Sequence, residues 1–247
     1  MFDLPLASAF TVFNDQDSGC LSYGVEHAGR RWLVKKATTA QARHSLIRAT
    51  HVHAAVQHPA IVRPERILDS LDGPVLVYPW HDGSVLNHAT TQGSNRTALT
   101  RFQQLPLSDV EAAITTILDA HETVAAAGHV AVDLYDGCFL YDFDARQMWL
   151  IDLDEYRRGP FILDADRLPG SRRYMAPEEF VRGAVIDQQT TVYTLGRTIW
   201  HLLDSSTGWR GTTAQARLAT HATHPTPGDR HPDVRALVDA WRATLST

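Results

Sequence analysis

The first third of the chain alternates short apolar runs with polar turns. β-prone runs occupy 10–13, 21–26 and 31–35, and the turn at 27–30 joins the last two. Two such runs separated by a short polar turn favour an antiparallel hairpin. The apolar run at 75–78 predicts another strand. We therefore expect the chain to begin with an antiparallel sheet.

Later segments repeat their hydrophobic residues every three or four positions, which predicts amphipathic helices. Ser108 and Glu111 have the spacing of a capping box, which predicts a helix start at this point. Gly128 follows the apolar stripe of that helix and is expected to end it. The predicted helices are 39–57, 108–127, 188–204 and 232–245.

The segment 128–156 combines two short strands with acidic residues. The predicted strands 139–141 and 148–151 are joined by a polar turn at 142–146. Because a hairpin brings its two ends together, we expect the flanking carboxylates to converge. Carboxylates at strand ends suit Mg²⁺, which takes oxygen ligands and shares them with substrate phosphates. The four carboxylates that flank the hairpin are Asp133, Asp136, Asp152 and Asp154. Asp136, and Asp142 in the turn itself, could instead be residues that only form turns.

This segment resembles the catalytic loop and metal-binding segment of protein kinases. Asp133 matches the catalytic-loop aspartate, and the Asp-Leu-Asp at 152–154 stands where the family has Asp-Phe-Gly. Residues 170–178, GSRRYMAPE, match the family's Gly-Thr-x-x-Tyr-Met-Ala-Pro-Glu nearly residue for residue. The matching motifs occur in the family's order over about residues 10–245.

The resemblance implies an α+β, bilobal protein-kinase-like fold. Residues 1–80 are expected to form a small β-rich lobe, and residues 81–247 a mostly helical lobe. It also implies ATP and Mg²⁺ as the nucleotide substrate and the cofactor. Asp133 then orients the substrate hydroxyl and accepts its proton, and Asp152 is the principal metal ligand.

The resemblance also implies nucleotide contacts in the small lobe. Lys35 matches the lysine that contacts the α- and β-phosphates. Strand alternation puts it on the opposite face from Lys36, and we expect Lys35 to face inward. Gly19 matches the last glycine of the phosphate-covering loop. The carbonyl of Pro79 and the N–H of His81 match the groups that bind adenine.

Several positions depart from the family pattern around the nucleotide. Asn14 and Gln16 stand where the first two lid glycines are expected, and Asp15 and Asp17 bring negative charge towards the phosphates. The predicted helix at 39–57 has no acidic residue to pair with the strand lysine. Any activity must therefore orient that lysine in another way.

The catalytic loop departs as well. Cys138 stands where the family has a metal-binding Asn, and a soft thiol is a poor Mg²⁺ ligand. We expect Asp136 or Asp154 to supply the missing oxygen. Tyr135 replaces the lysine that faces the γ-phosphate in Ser/Thr kinases. Ala131-Val132 replaces His-Arg, and without that Arg we predict no activation by autophosphorylation.

Two further positions are interpreted through the resemblance. Glu178 is expected to pair with an Arg near the C-terminus, for which Arg230 is the candidate. Thr191 replaces an Asp that normally hydrogen-bonds the catalytic-loop backbone. His121 lies on the apolar face of its predicted helix, which favours a hydrogen-bonded core histidine over a catalytic one.

The composition of the chain limits the cellular compartment and the binding partners that we expect. The formal net charge of −5 disfavours a protein that binds nucleic acid through a basic face. Cys20 and Cys138 lie far apart in sequence and suggest no disulfide framework, which fits a cytoplasmic protein. The sequence begins without the pattern of a signal peptide, and no apolar window is long enough for a membrane span.

Three functions fit this sequence. The first is an ATP-dependent phosphotransferase, Ser/Thr protein kinase-like because of residues 170–178. The second is a kinase of a small hydroxyl-bearing metabolite or antibiotic. The Asp-x-Asp motif suggests it, since aminoglycoside and choline kinases also depart from Asp-Phe-Gly. The third is a pseudokinase that serves as a binding scaffold, suggested by the altered lid. The phosphoacceptor is accordingly a protein or a small molecule with a hydroxyl group.

Overall fold

The computed structural model describes residues 6–15, 18–91 and 93–245. Its secondary structure combines antiparallel strands with helices in an α+β arrangement. The strands of the first part are β1 (Thr11–Phe13), β2 (Cys20–His27), β3 (Arg30–Ala37), β4 (Arg66–Ser70), β5 (Gly73–Pro79), β6 (Ser84–Val85), β7 (His88–Thr90) and β8 (Gly93–Asn95). The later strands are β9 (His129–Val130), β10 (Phe139–Asp142), β11 (Gln147–Leu150), β12 (Arg157–Arg158), β13 (Phe161–Ile162), β14 (Val185–Ile186), β15 (Asp204–Ser205) and β16 (Gly208–Trp209). The helices are α1 (Ala40–Ala55), α2 (Thr97–Phe102), α3 (Leu107–Ala126), α4 (Gln188–Leu203), α5 (Thr213–Ala222) and α6 (Val234–Leu245).

The first part of the chain forms a five-stranded antiparallel sheet with the order β1-β2-β3-β5-β4. The predicted strands correspond to β1, β2, β3 and β5, and are confirmed. Sequence analysis missed β4, whose residues are mostly exposed at the sheet edge and show no apolar alternation. Helix α1 lies against the sheet and buries Leu46 and Ala49 with Leu76 of β5. This core holds β3 in place and so fixes the direction of its side chains.

The helical part packs around one larger core. Helices α3, α4 and α6 contribute Ile117, Ile199 and Trp241, none of which is exposed to solvent. The end of α1 contributes Val52 and Val56 to the same core. The sheet and the helices are therefore joined by shared apolar packing.

The start of α3 differs from the sequence prediction. The helix begins at Leu107 after Pro106, and no side chain caps it, so the predicted capping box at Ser108 and Glu111 is wrong. Proline suits the start of a helix because its missing N–H has no partner there in any case. The Glu111 carboxylate instead accepts a hydrogen bond from Gln215 of α5 at 2.7 Å. The predicted end is confirmed, since Gly128 follows the helix with a φ of +74°.

The β10–β11 hairpin connects the sheet to the helical part. Its four-residue register, from Phe139↔Leu150 to Asp142↔Gln147, confirms the predicted strand pair. Asp142 forms the turn, because its carboxylate accepts the N–H groups of residues 144 and 145. At the other end, Leu150 exchanges backbone hydrogen bonds with Ala60 and Val62. These bonds fix the residues after Leu150 beneath the sheet.

Both cysteines are buried free thiols. None of the helices in the described part of the chain combines the length and the apolar character needed to cross a membrane.

Candidate active site

A cavity of about 340 Å³ lies between the sheet and the β10–β11 hairpin. Its upper wall comes from β2 and β3 and includes Leu33 and Lys35. Its lower wall includes Leu140, Ile151 and Asp152. The sheet thus supplies a cation and the hairpin supplies a carboxylate to the same enclosed space.

Lys35 joins the sheet to the segment that follows β11. Its Nζ lies 2.6 Å from Oδ1 of Asp152 and 2.5 Å from Oδ2 of Asp154. The predicted inward direction of Lys35 is confirmed, since it lines the cavity with Leu33. Lys36 points to the other face, where its Nζ lies 5.5 Å from the centre of the Tyr23 ring.

The two carboxylates at Lys35 have different surroundings. The Asp152 side chain is 42% exposed, whereas that of Asp154 is 7% exposed. Burial alone lowers the pKa of Lys35, but the charges of Asp152 and Asp154 outweigh it and raise this pKa well above its ordinary value. Burial raises the pKa of Asp154 to about 6, against the opposing charge of Lys35. Oδ1 of Asp154 is buried and has no hydrogen-bond partner among the described residues.

Asp133 and Asp152 share an uncommon backbone conformation. Their φ angles are +60° and +62°, in the left-handed region that non-glycine residues rarely occupy. Strained backbone of this kind is concentrated at functional sites, where the surrounding structure holds it in place. Here the pairing of β9 with β12 holds the chain on both sides, because β9 precedes Asp133 and β12 follows Asp152.

Asp133 lies beside the cavity and does not line it. It is half-buried, and its backbone oxygen accepts a hydrogen bond from the Cys138 thiol at 3.3 Å. Gly170 packs on the Asp133 main chain, since a Cβ added to Gly170 would lie 3.6 Å from the Asp133 Cα. The main chain of the predicted catalytic-loop aspartate thus lies against the start of the 170–178 motif.

The four carboxylates of this region do not form one cluster, so that prediction is corrected. Asp136 is fully buried, and its carboxylate accepts hydrogen bonds from Asn87 and Arg173, each at 2.9 Å. Arg96 lies 3.6 Å from the same carboxylate. These partners draw Asp136 away from Lys35, because the short 3₁₀ turn Asp136–Cys138 directs it towards the helical part.

Cys138 is buried close to Asp133, Asp136 and Asp152. Burial, and then the negative charges of Asp152, Asp133 and Asp136, raise the pKa of the Cys138 thiol well above its ordinary value. The thiol is therefore neutral at physiological pH and acts as a small buried side chain. Within the described residues, no group of three or more His, Cys, Asp or Glu side chains is placed to hold a metal ion by itself.

Pro79 and His81 both line the cavity. The Trp80 N–H donates to the Arg31 carbonyl at 3.1 Å. Since hydrogen-bonded and non-hydrogen-bonded pairs alternate in antiparallel strands, the Trp32–Pro79 pair next to it makes no such bonds. The Pro79 carbonyl is therefore turned away from β3. Burial lowers the pKa of His81 against the charge of Asp82, so its ring is neutral at pH 7.

The loop after β1 is only partly described, because Gln16 and Asp17 lie outside the described residues. Gly19 has a φ of +69°, and its carbonyl accepts hydrogen bonds from Thr38. It packs against the start of α1 and does not line the cavity. The side chain and backbone of Asp15 both contact Thr91, next to the β7–β8 hairpin.

The mouth of the cavity lies beside this contact. There the rings of Phe13 and His88 are 6.1 Å apart. The β1 end of the sheet and the β7–β8 hairpin thus face each other across the opening.

The expected pairing of Glu178 with Arg230 is confirmed. Arg230 holds both oxygens of Glu178, with N–O distances of 2.6 and 2.9 Å. The Thr191 hydroxyl accepts the N–H of Ala131 at 3.1 Å, so it keeps a contact to the catalytic-loop backbone. The expected core role of His121 is also confirmed, because its ring contacts the Ile117 carbonyl and the hydroxyl of Tyr156.

One contact was missed by sequence reasoning. Glu155 follows Asp154 and faces helix α1, where it accepts hydrogen bonds from Ser45 and, at 2.6 Å, from Arg48. The only available signal was the unusual helix at 39–57, which has basic residues and no acidic one. Sequence separation concealed the partner, because Glu155 lies 107 positions after Arg48.

Comparisons with known proteins give no family assignment. No protein-family model matches the chain, and a search of curated proteins also finds no match.

Proposed function

We propose that this protein is an ATP-dependent phosphotransferase with a bilobal protein-kinase-like fold. Residues 1–80 form its small lobe and residues 81–247 its larger lobe. The observation that carries the proposal is the contact of Lys35 with Asp152 and Asp154 at one end of the cavity. A cation from the sheet and carboxylates from the hairpin are the groups that a metal-bound triphosphate requires.

Several observations away from the cavity support the same fold. The five-stranded sheet is backed by α1, and the helical part follows in sequence. The Glu178–Arg230 pair is a support that the resemblance implied, and Thr191 contacts the Ala131 backbone although it replaces the family's Asp. They hold the 170–178 segment and the chain before Asp133 in fixed positions.

In this proposal the nucleotide lies along the cavity. Leu33 and Leu140 provide apolar surfaces above and below the base. The Pro79 carbonyl and the His81 N–H are the polar groups for its edge, and the triphosphate extends towards Lys35. Gly19 covers no part of the cavity in the structure, so the phosphates are held mainly from the Lys35 side.

The residues at Lys35 also fit Mg²⁺. Asp152 is partly exposed to the cavity, and Asp154 carries a buried oxygen without a hydrogen-bond partner. Oxygen ligands of this kind suit a hard cation, which completes its shell with phosphate oxygens and water. Asp154 is favoured over Asp136 as the second ligand, because Asn87 and Arg173 already occupy the Asp136 carboxylate. Bound there, the ion would neutralise phosphate charge during transfer.

Asp133 is proposed to orient the hydroxyl group of the phosphate acceptor and to accept its proton. Its position beside Gly170 places it where the chain leading into the 170–178 motif meets the catalytic loop. The acceptor oxygen forms a bond to the γ-phosphorus as the bond to the ADP oxygen breaks, and Asp133 takes the hydroxyl proton. Lys35 stabilises the charge on the phosphate oxygens throughout.

The acceptor is proposed to be a protein Ser or Thr, because the 170–178 segment resembles the family's peptide-substrate loop. This segment is tied to Arg230 through Glu178, and its Gly170 packs on the Asp133 main chain. The second candidate acceptor is a small hydroxyl-bearing molecule. It is favoured by Asp154, which stands in place of glycine and contacts Lys35 directly.

A thermal-shift titration with ATP and Mg²⁺ tests nucleotide binding. A ligand that binds the folded state stabilises it by mass action. The melting temperature of the wild type should rise with nucleotide, whereas that of Lys35→Met should respond much less. No shift of the wild type at millimolar ATP would support the scaffold function instead.

The metal assignment is tested by two variants. Asp154→Asn should raise the Mg²⁺ concentration needed for half-maximal turnover, and Asp136→Asn should leave it unchanged. Wild-type metal dependence in Asp154→Asn would contradict the assignment. ATP turnover against generic protein substrates, beside a panel of hydroxylated small molecules, then separates the two acceptor classes.

A further inference from the structure

The segment after Asp152 forms a tight turn with two differently directed carboxylates. The N–H of Tyr156 donates to the Leu153 carbonyl at 3.2 Å, which closes a four-residue turn. Leu153 and Tyr156 are both 1% exposed and anchor the ends of the turn in the core. Asp154 and Glu155 occupy its two central positions.

The two carboxylates bind different parts of the small lobe. Asp154 contacts Lys35 on β3 at 2.5 Å. Glu155 contacts Ser45 and Arg48 on α1, and Arg157 lies 3.8 Å away. Because neighbouring residues in one closed turn cannot move independently, a shift at Glu155 is transmitted to Asp154.

The charges of this contact reverse the arrangement that the kinase resemblance implies. There, a helix carboxylate pairs with the strand lysine. Here α1 contributes a cation, and the carboxylates of the turn hold both the helix and the lysine. The Arg48 and Glu155 side chains are 26% and 15% exposed, so water screens their contact only in part.

We propose that Arg48 and Ser45 are positioning residues, which fix the 153–156 turn through Glu155 and thereby hold Asp154 against Lys35. Arg48 is the main contributor, because it donates to Glu155 at 2.6 Å and also to the Ser45 hydroxyl at 2.9 Å. Arg157 is a weaker contact at 3.8 Å. The role of Lys35 in phosphate binding rests on the proposed function, but the link from helix to lysine does not.

The lysines of the chain permit a test that does not depend on activity. Lys35 and Lys36 are the only lysines in the sequence. Lys35 is buried and ion-paired, whereas Lys36 lies on the other face of β3. An amine-acylating reagent followed by mass spectrometry therefore compares a protected lysine with a neighbouring reference.

The primary variant is Arg48→Ala, and the matched control is Arg43→Ala. Arg43 lies on the same helix but donates to the Asp72 carbonyl at 2.9 Å, far from the turn. We expect Lys35 to be acylated at least about tenfold faster in Arg48→Ala and Glu155→Gln than in the wild type, because a displaced turn releases its amine from Asp154 and opens it to the reagent. Arg43→Ala should leave the rate unchanged, and the rate at Lys36 should not change in any variant.

Turnover provides the second readout. Misplacement of a catalytic group by about 1 Å lowers turnover by about 10²-fold, so Arg48→Ala should lose kcat to that extent. The double variant Arg48→Glu/Glu155→Arg restores a pair of opposite charges between the helix and the turn, but it also places a cation beside Arg157, so it should recover only part of the loss. A positioning role predicts this recovery, whereas loss of packing alone does not.

The outcomes separate this inference from the proposed function. If the wild type transfers no phosphate but Lys35 becomes reactive in Arg48→Ala, the helix link stands and the enzyme assignment fails. If Lys35 reactivity is the same in Arg48→Ala, Glu155→Gln and the wild type, the link is overturned. If Arg48→Ala does not fold, Glu155→Gln and the conservative Arg48→Lys decide the question in the same assay.

Discussion

The molecule has two clusters of opposite charges, one around Arg230 and one around Lys35. They differ in whether every hydrogen-bonding group has a partner within the fold. Around Arg230, the guanidinium donates five hydrogen bonds, to both oxygens of Glu178 and to three backbone carbonyls. Around Lys35, two carboxylates meet one ammonium, one of them is partly exposed, and a buried oxygen lacks a partner.

This difference distinguishes a structural cluster from a binding site. An arginine has five N–H donors, and at Arg230 every one is used within the fold. The Lys35 cluster has an excess of carboxylate and opens on a cavity, so a ligand with positive and negative groups can complete it. Helix α4 contacts both the Arg230 cluster and the chain that leads to Asp133, because Thr190 donates to Glu178 while the neighbouring Thr191 accepts from Ala131.

Removal of Arg230 is expected to have the largest effect on stability. Arg230→Met leaves the buried Glu178 carboxylate without its cation and should lower the free energy of unfolding by about 3–5 kcal/mol. Denaturant unfolding measures the loss. Arg242→Met is the control, because Arg242 makes its ion pairs at an exposed site and should cost less than about 1 kcal/mol. Equal losses in both variants would contradict the comparison.

Loss of Asp152 should affect turnover without a comparable loss of stability. In the proposed function Asp152 acts at the phosphates, so Asp152→Asn removes an electrostatic contact whose loss costs about 10²–10³-fold in kcat. The melting temperature should change little, because Asp154 still pairs with Lys35. Steady-state kinetics and thermal unfolding on the same samples measure both quantities. An active Asp152→Asn enzyme would remove the basis of the proposed function.

Substitution of the two neighbouring threonines of α4 should separate a loss of stability from a loss of turnover. Thr191→Val leaves the buried Ala131 N–H without an acceptor, which costs about 1–3 kcal/mol, and should also reduce turnover because Asp133 lies two residues further on. Thr190→Val should reduce stability while leaving kcat nearly unchanged. Parallel unfolding and kinetic measurements test this. A matched loss of kcat in both variants would show that the two clusters are not separable.

A pH-dependent prediction concerns Glu179, beside the Arg230 cluster. Burial raises the pKa of Glu179 to about 8, against the opposing hydrogen bond from the Ala176 N–H. Because the folded-state pKa exceeds the ordinary value of 4.5, its contribution to stability is complete below pH 4.5. That contribution is lost as the pH rises through about 8.

Glu179→Gln removes this titration. The melting temperature of the variant should therefore fall less than that of the wild type between pH 5 and pH 8.5, as measured by thermal unfolding across this range. Glu65→Gln changes an exposed carboxylate and should keep the wild-type slope. The assignment fails if Glu179→Gln has the wild-type pH dependence.

The smallest effect is expected from phosphorylation of the segment before residue 178. Arg48 and Arg157 already have the Glu155 carboxylate as an internal anion, and Val132 stands in place of the arginine before Asp133. Phosphatase treatment and the Ser171→Ala variant should each leave turnover within about twofold, a difference of about 0.4 kcal/mol. A strong increase on autophosphorylation would contradict this expectation.

The sequence predicted those strands and helices that are determined by a pattern within a short stretch of the chain. Apolar alternation marked β2 and β3, and helical spacing marked α1, α3, α4 and α6. The edge strand β4 was missed because it has few buried residues, and its pattern carries little information. The spacing of Ser108 and Glu111 was misleading, because the helix already begins at Leu107, with Pro106 and no side-chain cap before it.

The site was predictable in part. Lys35 and Asp152 were identified from their motifs, and the structure brings them together. The different surroundings of Asp136 and Asp154 depend on Arg173, Asn87 and Lys35, which lie far away in sequence. Contacts of this kind follow from tertiary packing, so no local pattern reveals them.

The backbone bonds between Leu150 and residues 60–62 have a mechanical consequence. They join the segment after α1 to β11 as a short parallel bridge, so a movement of the sheet relative to the β10–β11 hairpin is restrained close to these bonds. Asp152 lies only two residues from the bridge, so the charged end of the cleft keeps its dimensions. At the opposite end, beside Phe13 and His88, the Asp15–Thr91 hydrogen bonds bridge the opening, and they must break before a bulky molecule can enter there.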